Sequence, residues 1–152
     1  MDRQDAKDAK DARELQGPEG ETDRVASAVL QAAIEVHRGL GPGFLETVYE
    51  QALDMELTLR RIRFVRQPAI AVVYKDRLVG DVRPDFLVAE RLIVELKTVE
   101  QLAPIHIAQA LSYLRATELS LALVVNFNVT VLLRGVRRVV LSALPISDPS
   151  YL

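Results

Sequence analysis

Residues 81–98 constrain the fold of this chain more than any other segment, and they read DVRPDFLVAERLIVELKT. Their pattern predicts two short strands joined by a tight turn at residues 89–91. Both strands are apolar, with Phe86, Leu87 and Val88 on the first and Leu92, Ile93, Val94 and Leu96 on the second. Into this apolar hairpin the sequence places three charged residues, which are Asp85, Glu95 and Lys97.

The charged side chains of the hairpin need partners. Side chains alternate between the two faces of a strand, so Glu95 and Lys97 point one way while Val94 and Leu96 point the other. Buried charges without partners are costly, and a hard cation such as Mg²⁺ would remove that cost by binding carboxylate oxygens. We therefore expect Asp85 and Glu95 to hold a divalent metal between the strands, helped by the backbone carbonyl of Leu96.

A metal held there would suit phosphoryl chemistry. It would lower the pKa of a bound water and neutralise charge that develops on a phosphoryl oxygen. Lys97 would lie beside that water, where it could orient the nucleophile or stabilise the transition state. The alternative is a cross-strand salt bridge between Lys97 and Asp85 or Glu95 on a solvated sheet face.

Three motifs occur in order along the chain, and together they resemble a known family. Pro84-Asp85 followed by Glu95-Leu96-Lys97 resembles the core motif of the PD-(D/E)XK nuclease superfamily. Upstream, residues 43–49 (GFLETVY) resemble the signature of the GxxExxY protein family, a bacterial branch of that superfamily. Downstream, Gln109 and Tyr113 are similar to the Q-xxx-Y element that follows the core in many members.

The resemblance runs from about residue 25 to residue 141 and implies both a fold and an activity. The fold would be α/β, with a restriction-endonuclease-like α-β-β-β-α-β core whose central mixed sheet is flanked by helices. The activity would be that of a Mg²⁺- or Mn²⁺-dependent nuclease acting on DNA or RNA, with DNA as the expected partner. In that family pattern Glu46 supplements the metal site from a helix, and Gln109 and Tyr113 orient the substrate or close the site. From the residues alone, Glu46 could equally be a helix N-terminal charge matched to the helix dipole.

Composition excludes several classes of protein. The 152 residues are 49% hydrophobic, which suits one domain with a real core. There is no cysteine, so disulfides, zinc–thiolate sites and iron–sulfur clusters are excluded. No apolar run is long enough to span a bilayer and no secretory signal is visible, so we expect a cytoplasmic protein. We expect a charged, disordered tail over residues 1–21, a nuclease-like domain over 22–143 and an irregular tail over 144–152.

The net charge of −2 is unevenly distributed. Residues 1–23 hold eight of the 21 acidic residues but only four of the 19 basic ones, so the remainder has 13 acidic and 15 basic residues. This mild positive balance neither supports nor forbids a phosphodiester substrate.

Periodicity predicts three helices, over residues 22–38, 44–61 and 104–117. The first should begin with Thr22 as its N-cap and the last with Pro104 in its first turn. In the second helix, five apolar residues recur at helical spacing and should face the sheet: Leu45, Val48, Ala52, Met55 and Leu59.

Further strands are predicted around the central hairpin. Residues 63–75 should form one strand with Pro68 at an edge or bulge, and residues 78–82 the next. Residues 119–127 are almost continuously apolar, as in a strand buried on both faces. Residues 129–133 and 137–141 should form a closing hairpin. A homodimer across an exposed edge, with that hairpin as its contact surface, is a hypothesis.

Two other functions compete with the nuclease. The first is a non-catalytic module that keeps the fold but only binds nucleic acid or protein, because fold does not dictate activity. The second is a glycosidase with Glu46 and Glu95 as paired carboxylates, which the aromatic content of 5% disfavours, since sugar clefts usually need stacking platforms.

Overall fold

A computed structural model describes residues 18–141. The expected tail over residues 144–152 and the first 17 residues of the expected tail over 1–21 lie outside the described residues, whereas residues 18–21 are helical rather than disordered. The helices are α1 (Pro18–Leu40), α2 (Glu46–Leu59) and α3 (Pro104–Thr117). The strands are β1 (Phe64–Arg66), β2 (Ile70–Tyr74), β3 (Arg77–Val82), β4 (Phe86–Val88), β5 (Leu92–Lys97), β6 (Leu121–Asn126) and β7 (Val136–Val140). Within residues 18–141, no helix is both long and apolar enough to cross a membrane.

The central sheet has five strands in the order β1-β4-β5-β6-β7. β4 and β5 are antiparallel, whereas β5 and β6 are parallel and are joined by α3, the kind of crossover that parallel strands require. One face of the sheet packs against α1 and α2, and the other packs against α3. The expected mixed α/β fold with a restriction-endonuclease-like core is confirmed, its α-β-β-β-α-β order being α2-β1-β4-β5-α3-β6.

The alternation of β5 decides which face carries the charged residues. Val94 and Leu96 lie in the core beneath α1 and α2, while Ile93 lies in the core beneath α3. Glu95 and Lys97 lie on the same face of the strand as Ile93, because side chains alternate between the two faces. The sequence-based expectation about this strand is therefore confirmed, and it places both charged side chains next to α3.

The segment 63–75 is not one strand, contrary to the sequence-based prediction. Gln67 has a left-handed backbone (φ 50°) and Pro68 follows it, so the chain leaves the central sheet after β1. β1 pairs with β4, whereas β2 pairs only with β3 in a separate two-stranded sheet. The β2–β3 hairpin is thus an insertion between two neighbouring strands of the central sheet.

The first strand of the predicted closing hairpin was also wrong, whereas its second strand, predicted over residues 137–141, is present as β7. Residues 132–135 form a 3₁₀ helix, after which β7 pairs antiparallel with β6. Leu132 is buried, and a Cβ atom at Gly135 would lie 2.4 Å from the carbonyl oxygen of Asn126. A tight helical turn packed against the end of β6 therefore replaces the expected strand.

Helix α1 begins at Pro18, four residues before the predicted start, so Thr22 lies inside the helix and is buried rather than being the N-cap. The buried apolar face of this helix includes Val29, Ala32, Ala33 and Val36. α3 has the predicted bounds.

The apolar face of α2 was predicted wrongly. Leu45, Met55 and Leu59 are 76%, 64% and 67% exposed, and the buried apolar residues of this helix are Tyr49, Leu53 and Leu57. Two apolar faces compete in this helix. The ring of Tyr49 decides between them by stacking on Phe127, with ring centroids 4.5 Å apart.

Candidate metal-binding active site

Asp85 and Glu95 are brought together by the antiparallel pairing of β4 with β5, in which Phe86 lies opposite Val94. The backbone N–H of Asp85 donates to Oε1 of Glu95 at 2.9 Å. In return, the backbone N–H of Leu96 donates to Oδ2 of Asp85 at 2.7 Å. The backbone thus holds one oxygen of each carboxylate, on rigid strands rather than on loops.

Burial changes the protonation of this pair. Glu95 is only 4% exposed. Burial, with the hydrogen bond and charge of Asp85 as further causes, raises the pKa of Glu95 to about 8. Burial is also the main cause that raises the pKa of Asp85. Without a cation, the two carboxyl groups therefore share a proton near neutral pH.

Lys97 lies on the same face as Glu95, with its Nζ atom 4.0 Å from Oε2 of Glu95. The Nζ atom also donates to Oε1 of Gln109 on α3 at 2.9 Å. The side chain of Lys97 is only 16% exposed. The salt bridge of the alternative interpretation is therefore present between Lys97 and Glu95, but α3 covers this face of the sheet, so the face is not solvated.

Tyr113 lies one turn after Gln109 on α3 and is buried. Burial raises the pKa of its hydroxyl, and the charge of Glu95 and a hydrogen bond to Glu95 add to that effect. The hydroxyl consequently stays protonated and can donate to Glu95. The structure therefore brings Gln109 and Tyr113 to the charged residues of the hairpin.

Glu46 is the first residue of α2 and is half-buried. Burial raises its pKa, and the charge of Asp85 is the second cause. Glu46 is thus close enough to Asp85 to feel its charge. Even so, no three acidic or histidine side chains within residues 18–141 converge tightly enough to form a metal-binding cluster by themselves.

The loop that precedes Glu46 is fixed by Tyr49. Its hydroxyl donates to the carbonyl oxygen of Gly41 and accepts from the backbone N–H of Phe44 at 3.2 Å. Tyr49 is therefore a core residue that sets the start of α2, and not a residue over an open cleft.

Glu50 was missed as a site residue, although its spacing of four from Glu46 was a usable signal. It is 4% exposed, and its Oε1 atom accepts from Nε of Arg66 at 2.9 Å and from Nε2 of Gln67 at 2.7 Å. The backbone N–H of Gln67 also donates to the carbonyl oxygen of Asp85 at 2.8 Å. Gln67 therefore links Glu50 to the backbone of Asp85, and the Glu50 charge contributes to the raised pKa of Asp85.

The comparisons with known proteins place this arrangement in a family. No curated protein and no solved structure matches the chain. A model of the PD-(D/E)XK nuclease superfamily matches residues 23–139, which is most of the chain and includes every site residue described above. The chain belongs to the PD-(D/E)XK nuclease superfamily.

Proposed function

We propose that this protein is a nuclease that needs Mg²⁺ or Mn²⁺ and hydrolyses phosphodiester bonds. DNA is the expected substrate, and RNA is the alternative substrate. The observation that carries the proposal is the pair of backbone-held carboxylates, one half-buried and one buried, with the Lys97 ammonium 4.0 Å from Glu95. The sequence resemblance to the GxxExxY branch supports the same activity.

The residues present suit a hard divalent cation. The half-buried Asp85 and the buried Glu95 have raised pKa values, so their charged state is unfavourable, and a cation would relieve it. Asp85 and Glu95 would hold the ion, with the carbonyl of Leu96 as a further oxygen ligand. Glu46 would assist from the start of α2, and water or substrate oxygens would complete the ligand set.

When bound, the cation would supply Lewis-acid stabilisation of charge on the phosphoryl group. The chain itself would supply orientation. Gln109 accepts from Lys97 and is neutral, so it fixes the ammonium without cancelling its charge. Lys97 would then orient the attacking water and stabilise negative charge in the transition state. Tyr113 would hold Glu95 in place and help to close the site.

One observation favours the competing function, a binding module without catalysis. Within the described segment, Asp85, Glu95 and Glu46 do not form a complete three-carboxylate cluster. A protein that only binds nucleic acid or another protein would not need one.

A cleavage assay separates these functions. Labelled single- and double-stranded DNA and RNA would be incubated with Mg²⁺, Mn²⁺ or EDTA, using the wild type, Asp85→Asn and the matched control Asp76→Asn in the exposed β2–β3 turn. We expect metal-dependent cleavage of at least one substrate by the wild type and the control, and none by Asp85→Asn. Binding without cleavage by all three proteins would support the binding module.

The proposal also includes a cytoplasmic location, which the absence of cysteine suits. It includes a homodimer as well, in which the second copy would contribute to the recognition of the substrate.

A further inference from the structure

We propose that two copies of this chain associate through the exposed apolar face of α2, in an antiparallel arrangement with Ala52 on the two-fold axis. The face, called the α2 stripe below, consists of Leu45, Val48, Ala52, Met55 and Leu59. This inference rests on the proposed homodimer, but it does not depend on nuclease activity.

The α2 stripe is more exposed than a monomer requires. Leu45, Met55 and Leu59 are each more than 60% exposed, while the opposite side of the helix is already buried against the core through Leu53 and Leu57. A surface helix of a monomer usually has one apolar face. A second, continuous apolar face on the same helix marks an interaction surface.

The spacing within the stripe fits a helix as the partner. Its members follow one another at intervals of three, four, three and four residues, which is the repeat of a two-helix seam. α2 is 14 residues long, so the stripe extends over its whole length. Within the stripe, Ala52 is partly buried against the core, while the main contacts of this helix with the core are made by Tyr49, Leu53 and Leu57.

The stripe is also nearly symmetric about Ala52, which favours a second copy as that partner. Leu45 and Leu59 each lie seven residues from Ala52, while Val48 lies four residues before it and Met55 three residues after it. Two-fold antiparallel packing would place Leu45 against the partner's Leu59, and Val48 against the partner's Met55. A two-fold interface needs this kind of self-complementary surface. Ala52 at the crossing point is small enough for the two helices to approach closely.

The charges along the helix favour a protein partner over nucleic acid. The stripe has no ionisable side chain, and its exposed margin carries the neutral residues Thr47, Gln51 and Thr58. The nearest charges are already engaged within the chain, since Glu56 pairs with Arg60 at 2.8 Å. Binding to nucleic acid would instead require basic side chains that contact phosphates.

The surface contains several large apolar side chains that a partner could cover. With Phe44, which is 48% exposed at the start of the helix, the stripe presents five of them, and a specific interface would have to bury about 600 Å² on each copy. The closing hairpin predicted from sequence as the contact surface does not form, so α2 replaces it in this proposal.

Disulfide trapping tests the geometry, because the chain has no cysteine of its own. Leu45→Cys and Leu59→Cys proteins would be oxidised separately and as a mixture, with Leu78→Cys on the β2–β3 hairpin as an equally exposed control. We expect a cross-linked dimer from the mixture and from Ala52→Cys alone, but not from Leu45→Cys alone, Leu59→Cys alone or the control. A mixture that cross-links no more than the control would overturn the proposal. Cross-linking of Leu45→Cys with itself would overturn the antiparallel arrangement.

Sedimentation tests the association without cross-linking. We expect the wild type to be a dimer at tens of micromolar and Leu59→Glu to weaken association by about tenfold or more, while Leu78→Glu stays dimeric. Both positions are exposed, so neither variant should unfold, and circular dichroism checks this. A monomeric wild type, or a Leu59→Glu protein as dimeric as the control, would contradict the proposal. Cleavage rates measured on the same proteins show separately whether the proposed nuclease function holds.

Discussion

Asp85 and Glu95 are locked together by the backbone, because the N–H of Asp85 donates to Glu95 and the N–H of Leu96 donates to Asp85. If either carboxylate moved away, it would leave a backbone N–H without its acceptor, which is costly. The site is therefore preorganised by the sheet, and its weak point is electrostatic: the half-buried Asp85 and the buried Glu95 lie side by side, with Lys97 as a nearby cation.

The first prediction concerns stability against pH in the absence of metal. The pKa of Glu95 is about 8 in the folded protein and about 4.5 in the unfolded chain, so between these values the folded state binds more protons. The free energy of unfolding should therefore fall as the pH rises from about 4.5 to about 8. Urea denaturation in EDTA at several pH values measures it, and the raised pKa of Asp85 acts in the same direction.

The variant Glu95→Gln is the control for that experiment. A glutamine keeps the size and the acceptor for the Asp85 N–H but carries no charge. We expect it to flatten the pH dependence and to stabilise the metal-free protein at pH 8 by about 1–3 kcal/mol. An unchanged slope in Glu95→Gln would assign the pH dependence to other groups.

The second prediction concerns the cation. A ligand that binds only the folded state raises its stability, by about 2.7 kcal/mol at a concentration of 100 Kd. Mg²⁺ or Mn²⁺ should thus raise the Tm of the wild type, and more at pH 8 than at pH 6, because the carboxyl groups must lose their shared proton. Asp85→Asn should lose the effect, whereas Asp76→Asn should keep it. An equal shift in all three proteins would place cation binding elsewhere.

The third prediction concerns Gln109 as the residue that positions Lys97. Gln109→Leu keeps the volume on α3 but removes the acceptor for the ammonium. We expect kcat to fall about 10- to 100-fold with a smaller change in KM, because the hydrogen bond between Gln109 and Lys97 positions a group that stabilises the transition state. Ser112→Ala, exposed on the same helix, is the matched control and should keep the wild-type rate. A higher KM with an unchanged kcat would instead indicate that Gln109 contacts the substrate.

The fourth prediction concerns Tyr49. Tyr49→Phe keeps the stacking on Phe127 but removes the hydroxyl that holds the loop from Gly41 to Phe44. We expect a loss of about 1–2 kcal/mol in the free energy of unfolding. Because this loop sets the start of α2, the rate of cleavage should fall as well. Tyr74→Phe, at an exposed position in β2, is the control and should leave both quantities unchanged.

The sequence predicted the parts of the fold whose signal is local. The β4–β5 hairpin, α3 and the buried strand β6 all have strong apolar patterns with clear turn or proline signals at their ends. The charged residues of the hairpin were found for the same reason, because charges stand out within an apolar strand. Gln109 and Tyr113 were found through their family motif, and the structure brings both to Lys97 and Glu95.

The failures arose where a distant contact decided the outcome. The buried face of α2 depends on the stacking of Tyr49 against Phe127, which is 78 positions further along the chain. Glu50 is buried because two residues donate hydrogen bonds to it. These are Arg66 at the end of β1 and Gln67, which follows β1. The end of β1 likewise depends on the bond from Gln67 to Asp85. Local spacing contains no information on such pairings.

The most direct test of the central claim compares cation binding and cleavage in the same two variants. The account predicts that Asp85→Asn loses both Mn²⁺ binding, measured by calorimetry, and cleavage. Lys97→Ala should keep the binding within a few-fold but lose cleavage by at least about 100-fold, because Lys97 acts on the reaction and not on the ion. If Asp85→Asn cuts as fast as the wild type, or Lys97→Ala retains full activity, these residues are not the active site of a nuclease.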